Sequence, residues 1–209
     1  MTAPAAPLVF VVDDDTSVRK SLGRLIKTAG YEAEAFASVG EFLARRPYDG
    51  PCCLVLDVRM PGLTGLDLQE ALRAAGQRLS IVFITGYRDV PVSVKAMKGG
   101  AVDFLTKPVD ETVLLAAIRQ AVARTQADRR QLARLMEVQS RIKTLTPREA
   151  AVFALVVTGM LNKQIGSELG IGEKTVKVHR ARVMEKMQAG SLAELVRLAG
   201  EASVIAAGS

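Results

Sequence analysis

The chain has 209 residues, long for one compact domain of about 100–150 residues and comfortable for two. Hydrophobic residues make up 49% and charged residues 24%, which excludes a disordered or collagen-like chain and lets each half bury a core. The formal charge of +6 is unevenly placed: residues 1–124 carry 15 basic against 14 acidic side chains, so the excess lies in the remainder, as suits a second half that meets a polyanion.

In chain order, Met1-Thr2-Ala3-Pro4 lacks a basic n-region, and the apolar run Leu8–Val12 passes straight into three aspartates. This reads as neither a signal peptide nor a membrane span. Leu8–Val12 is a strand of the buried, β-branched kind, and Val18, Leu22, Leu25, Ile26 and Ala29 then recur at helical spacing up to Gly30, a good helix end. Further buried-strand runs stand around Ala33–Phe36, Cys53–Leu56, Ile81–Ile84 and Val102–Leu105. Helical patterns cover Glu41–Arg45, Gly65–Ala75, Pro91–Lys98 and Thr112 onward. Five strands alternating with five helices predict an α/β domain with a doubly wound parallel sheet. Cys52 and Cys53 are the only cysteines and are adjacent, so no disulfide framework is available and a reducing cytoplasm is expected.

Ligands of such sheets bind beyond the carboxyl ends of the strands. Asp13, Asp14 and Asp15 end the first run, Asp57 the third, Thr85 the fourth, and Thr106 and Lys107 the fifth, so one edge receives acids, a hydroxyl and an ammonium. Crowded carboxylates repel unless a cation neutralises them, which makes Asp13, Asp14 and Asp57 candidates for a Mg²⁺ site, with the Arg59 carbonyl within reach. An aspartate can also attack phosphorus to give an acyl phosphate when cations offset the charge on the transferred oxygens. Lys107 and the metal would supply that charge, and Thr85 would donate to a phosphoryl oxygen and shift when it arrives. Asp15-Thr16-Ser17 is expected to cap the first helix rather than to do chemistry.

Val11-Val12-Asp13-Asp14-Asp15, Leu56-Asp57-Val58-Arg59-Met60-Pro61-Gly62, Ile84-Thr85-Gly86 and Asp103-Phe104-Leu105-Thr106-Lys107-Pro108 together resemble the signatures of receiver domains over residues 1–124. The resemblance implies a flavodoxin-like strand order 2-1-3-4-5. It makes Asp13 and Asp14 metal residues, Asp57 the phosphoacceptor, Thr85 and Phe104 a switch pair, and Lys107 the phosphate-contacting lysine. It also implies a cis bond between Lys107 and Pro108.

From Thr112 to about Lys143 there is neither proline nor glycine, so the fifth helix is expected to continue as a linker helix over 125–144. Leu132, Leu135 and Ile142 fall at heptad-like spacing, interrupted by Asp128 and Gln139, which leaves a short dimeric coiled coil and a solvated single helix both open. Thr146-Pro147-Arg148-Glu149 restarts the chain as a capping box and opens a second domain over 145–209.

That domain reads as all-α, with helices at Arg148–Thr158, Asn162–Leu169, Glu173–Lys186 and Leu192–Ala199. In the third, Val176, Val183 and Met187 form the inward stripe, while Lys174, Lys177, Val178, Ala181 and Arg182 face outward with Arg180 beside them. A basic helix presented by a preceding helix and turn is the arrangement that enters a DNA major groove. Leu145-Thr146-Pro147-Arg148-Glu149, Asn162-Lys163-Gln164-Ile165 and Lys174-Thr175-Val176-Lys177-Val178-His179-Arg180 resemble the LuxR/NarL/FixJ-type helix-turn-helix over 145–199. By that resemblance Lys177, Val178 and Ala181 face bases, and Asn162, Lys163, Lys174, Thr175 and Arg182 contact phosphate. His179, the only histidine, is expected to pack or contact backbone rather than to catalyse.

Both halves together look most like FixJ-type response regulators of two-component systems. The implied partners are a sensor histidine kinase as phosphodonor, double-stranded DNA, RNA polymerase and, at least when phosphorylated, a second copy of the chain; phosphorylation is expected to dimerise the chain, to release its DNA-binding domain, or both, and the implied chemistry is Mg²⁺-dependent self-phosphorylation and slow autodephosphorylation rather than turnover. Gly86-Tyr87-Arg88-Asp89-Val90-Pro91 departs from the usual Gly-His-Gly-Asp-Val-Pro, and Tyr87 with Arg59 is read as tuning acyl-phosphate lifetime through water access. Two rivals are an aspartyl phosphatase, which Asp13-x-Asp15-x-Ser17 fits imperfectly, and a DNA-binding protein with a vestigial receiver. No Gly-x-Gly-x-x-Gly fingerprint implies a nucleotide cofactor.

Overall fold

A computed structural model describes residues 6–77, 79–86 and 90–206. Five strands, β1 (Leu8–Val12), β2 (Glu32–Phe36), β3 (Cys52–Asp57), β4 (Ser80–Thr85) and β5 (Asp103–Thr106), form one parallel sheet in the order β2-β1-β3-β4-β5. The doubly wound α/β fold and its strand order are as expected. The intervening helices are α1 (Thr16–Thr28), α2 (Val39–Ala44), α3 (Gly65–Ala74), α4 (Val90–Lys98) and α5 (Glu111–Lys143).

The period-2 alternation of the central strands sends side chains to two separate cores. Phe10, Val12, Leu54, Leu56 and Phe83 pack against Phe42, Leu68, Leu72 and Ala96, which places α2, α3 and α4 on one face. Val9, Val11, Val55, Val82 and Ile84 pack against Leu22, Ile26, Leu114, Ile118 and Ala121, which places α1 and α5 on the other. Covered on both faces, β1, β3 and β4 are wholly buried, hence their unbroken apolar runs. The expectation of buried strands fails at the two edges. β2 exposes Glu32, Glu34 and Ala35, and β5 is half-buried throughout, because each has one neighbour only. Charges on an edge strand discourage pairing with another chain.

Asp15 caps α1 as expected: its carboxylate accepts from the Ser17 and Val18 amides at 2.7 and 3.2 Å. α5 runs unbroken for 33 residues, yet the chain divides into two compact units between Arg129 and Arg130. Within the second unit, Val138 and Ile142 of α5 join a core with Val152, Val156, Ile165, Val176, Val183, Met187 and Leu195. Ile142 of the heptad-like set thus packs inside its own chain, while Leu132 is exposed. The helices contributing to this core are α6 (Pro147–Val156), α7 (Asn162–Leu169), α8 (Glu173–Met187) and α9 (Leu192–Ala206). α9 extends seven residues beyond the expected Ala199. No helix among the described residues is long and apolar enough to cross a membrane.

Candidate functional site

The sheet register brings the polar residues to one edge. Val12 lies beside Leu56, Asp57 beside Ile84, and Thr85 beside Thr106, so the residues at and just past these positions share the carboxyl end of the sheet. Asp13 is fully buried there, Asp57 is 6% exposed and Asp14 is exposed. The Lys107 ammonium reaches across two strand ends to donate to Asp13 at 2.7 Å and to Asp57 at 2.9 Å. One oxygen from each of Asp13, Asp14 and Asp57 comes within 4.8 Å of the others. Four residues expected to act together, from three segments, are therefore one cluster.

Charge balance explains the cluster's electrostatics. Burial raises the Asp13 carboxyl above its ordinary value, and the Lys107 hydrogen bond and the Asp15 amide only partly oppose that. Burial pulls Lys107 down, but hydrogen bonds to Asp13 and Asp57 and the attraction of both charges outweigh it, so the ammonium holds its proton above its ordinary value. One lysine against three carboxylates leaves a negative site of hard oxygen donors, which is the donor set that suits a small divalent cation. The cluster can hold a metal ion.

Several neighbours fix this geometry. The Arg59 amide donates to Asp57 at 3.3 Å. Gly65, the first residue of α3, lies so close that a Cβ there would collide with the Asp57 carbonyl, and only glycine lets the helix start against the acceptor strand. Thr85 is 2% exposed, and its carbonyl accepts from the Lys107 amide at 2.7 Å. The Lys107–Pro108 bond is cis. Phe104 is half-buried, its ring 6.2 Å from that of Phe83, so it belongs to the rim of the core rather than its centre. Sequence reasoning missed Arg19, whose guanidinium donates to the Asp13 carbonyl at 2.6 Å and to Thr16; its place one turn into α1 was the available signal. Tyr87 lies outside the described residues. Asp15, which the phosphatase reading needs as an acid, is occupied as the α1 cap.

In the second unit, α7 and α8 meet at a tight turn. Gly170 closes α7 in the left-handed region at φ 65°, and a Cβ on Gly166 would approach the Ile171 carbonyl to 2.7 Å. Val176, Val183 and Met187 of α8 face inward and are fully buried, as expected. Lys174, Thr175, Lys177, Val178, Ala181 and Arg182 are all exposed, as is Lys163 at the start of α7. Asn162 differs: half-buried, it accepts from the Arg180 guanidinium at 3.1 Å and so braces α7 against α8. His179 is half-buried with its Nδ1 unpartnered.

A second brace escaped sequence reasoning. The expected capping box forms between Thr146 and Glu149, but Glu149 is also buried and accepts from Lys186 of α8 at 2.6 Å. The Lys186 hydrogen bond and the Thr146 amide hold its pKa down at about 2. Lys186 further donates to the Thr144 carbonyl, and Arg141 to that of Met187, so the last turn of α8 is tied to the α5–α6 junction.

Known proteins share both halves. The response regulator receiver domain family matches residues 9–119, and the luxR family of bacterial regulatory proteins matches residues 143–199. Nodulation protein W of Bradyrhizobium diazoefficiens is 48% identical over 94% of this chain and 86% of its own length. The transcriptional regulatory protein FixJ of Azorhizobium caulinodans is 45% identical over 94% and 93%. The solved structure of the response regulator StyR superposes with a TM-score of 0.85 at 46% identity, covering 94% of this chain and all of that one. With a receiver carrying its acidic cluster and lysine, joined to a LuxR-type DNA-binding unit, the chain belongs to the NarL/FixJ family of response regulators, the transcription regulators of two-component systems.

Proposed function

We propose that Asp57 is the phosphoacceptor, that Lys107 and a Mg²⁺ ion support the transfer, and that α8 is the helix that reads DNA. The observation that carries this reading is the Lys107 ammonium bonded to both Asp13 and Asp57 within a three-carboxylate cluster. An Asp57 oxygen attacks the phosphorus of a phosphohistidine on a sensor kinase; the new O–P bond forms as the N–P bond breaks, and the departing imidazole keeps the electron pair and takes up a proton. Asp13, Asp14, Asp57 and the Arg59 carbonyl would hold the Mg²⁺, which supplies positive charge against the transferred oxygens. Lys107 turns from its carboxylate partners toward the phosphoryl group. The Thr85 hydroxyl then donates to a phosphoryl oxygen, and Phe104 follows it as the partner of the switch.

The domains on this reading are a receiver over 1–124, a helical linker over 125–144 and a DNA-binding domain over 145–209. Lys177, Val178 and Ala181 face bases, while Lys174, Thr175, Arg182, Lys163 and Asn162 serve phosphates, Asn162 through its hold on Arg180. Phosphorylation pairs two copies on a pseudo-palindromic site, where they meet RNA polymerase in the cytoplasm.

The test is intact mass after incubation of the full chain with acetyl phosphate and Mg²⁺, with and without chelator. A single phosphoryl adduct in metal-replete wild type, absent in Asp57→Ala and in chelator, is the expected result. No adduct in wild type, with phosphoramidate also failing, overturns it in favour of a vestigial receiver.

A further inference from the structure

Asp14 is the exposed member of the three-carboxylate cluster, and no hydrogen bond or ion pair among the described residues holds its carboxylate. Its place is set instead by the two peptide groups that meet at its Cα, because each is planar and only the two dihedrals between them can turn. Both groups are tied. In the one that follows Asp14, the Asp15 amide donates to the Asp13 carboxylate at 2.9 Å. In the one that precedes it, the Asp13 carbonyl accepts from a terminal nitrogen of Arg19 at 2.6 Å.

The Arg19 tie has a fixed base. The Asp15 carboxylate caps α1 by accepting from the Ser17 and Val18 amides, which sets the first turn of the helix. Half-buried Arg19 follows directly, and its other terminal nitrogen donates to the Thr16 hydroxyl at 2.9 Å. One planar fork thus spans the loop from Asp13 to the start of α1. It forms no ion pair among the described residues; Asp15 feels its charge, but its hydrogen bonds go to a carbonyl and a hydroxyl. Asp13 does not depend on this tie. Its carboxylate is held by Lys107 and the Asp15 amide, and its own amide donates to the Phe36 carbonyl at 3.2 Å. The group whose placement depends on Arg19 is Asp14.

We propose that Arg19 is a positioning residue of the metal site, holding the peptide before Asp14 so that the Asp14 carboxylate stays beside those of Asp13 and Asp57. This rests on the reading of the cluster as a Mg²⁺ site. Charge and geometry make opposite demands here. A guanidinium near a cation site repels the ion, so by charge alone its removal would tighten Mg²⁺ binding. Groups that orient metal ligands contribute about ten- to a hundredfold in affinity, so by positioning its removal weakens binding.

The experiment is a Mg²⁺ titration of the full-length protein, with the dissociation constant read by NMR from the backbone amide resonances of residues 13–17. Arg19→Met should weaken Mg²⁺ about tenfold. Arg19→Lys keeps the charge but has no rigid fork to span the carbonyl and the hydroxyl, so it should weaken Mg²⁺ by a similar factor. In an Asp14→Ala background, Arg19→Met should leave the constant unchanged, because the ligand it places is already gone. Tighter binding in Arg19→Met, undiminished binding in Arg19→Lys, or an equal loss in the Asp14→Ala background would each overturn the proposal, the last by showing a general loosening of the loop. A wild type with no saturable response would overturn the Mg²⁺ reading itself, and the role of Arg19 with it.

Discussion

At the scale of single residues, the cluster at the carboxyl edge is built for chemistry at some cost to stability. Asp13 is fully buried, and burial raises its pKa. A carboxyl whose folded value lies above its unfolded value stabilises the fold below the unfolded value, here 3.8, and that contribution is lost as pH rises through the folded value. Charging the Asp13 carboxyl therefore weighs against the fold. Asp13→Asn should raise the urea midpoint at pH 7 while slowing phosphoryl transfer, and a lowered midpoint would show that the Lys107 pair outweighs burial. Asp13, Asp14, Asp57 and Lys107 were legible in sequence because each ends an apolar run, and strand ends of a parallel sheet converge. Arg19 was not, because its hold on the Asp13 carbonyl depends on a side chain of α1 reaching back to the strand end.

At the scale of elements, the helices of the second unit are held by a few polar ties whose partners are distant in sequence. The box of Thr146 and Glu149 could be read locally, since both partners fall within one turn. The Lys186 tie could not, because it depends on how α6 packs on α8, and a lysine on a basic helix reads as solvated. Its consequence is a defined acid sensitivity. Glu149 ordinarily titrates near 4.5, and the Lys186 and Thr146 hydrogen bonds depress it to about 2. A depressed carboxyl contributes stability above its unfolded value, and that contribution disappears as pH falls through the folded value. The second unit should lose stability between about pH 4.5 and 2. Glu149→Gln should be less stable than wild type at pH 7 and show a shallower decline in this window, read as the thermal midpoint of that unit. Edge strands were likewise misread as buried, because apolar alternation records one covered face and cannot count neighbours.

At the scale of the whole molecule, two compact units in one chain follow from the capping box and the composition shift, but the partition of α5 does not. Its pattern is helical throughout, and only packing shows that Val138 and Ile142 serve the core of the second unit. A fragment of residues 130–209 should therefore unfold cooperatively, and Val138→Ala should destabilise it by about 2 kcal/mol, whereas residues 145–209 alone should melt lower than either. The same unit carries the exposed basic face of α8, and here the charge pattern makes a quantitative demand. For each DNA phosphate that the protein no longer neutralises, the dependence of log K on log salt becomes shallower by about 0.9. If Arg182 neutralises a phosphate in both copies of a dimer, Arg182→Ala should flatten the slope on a mixed-sequence duplex by roughly 1.8. Val178→Ala, an exposed apolar change on the same helix, should leave that slope alone and alter only the preference among sequences. Equal slopes for wild type and Arg182→Ala would remove Arg182 from the phosphate-binding set, and a slope changed by Val178→Ala would mean that the helix lies differently in the groove.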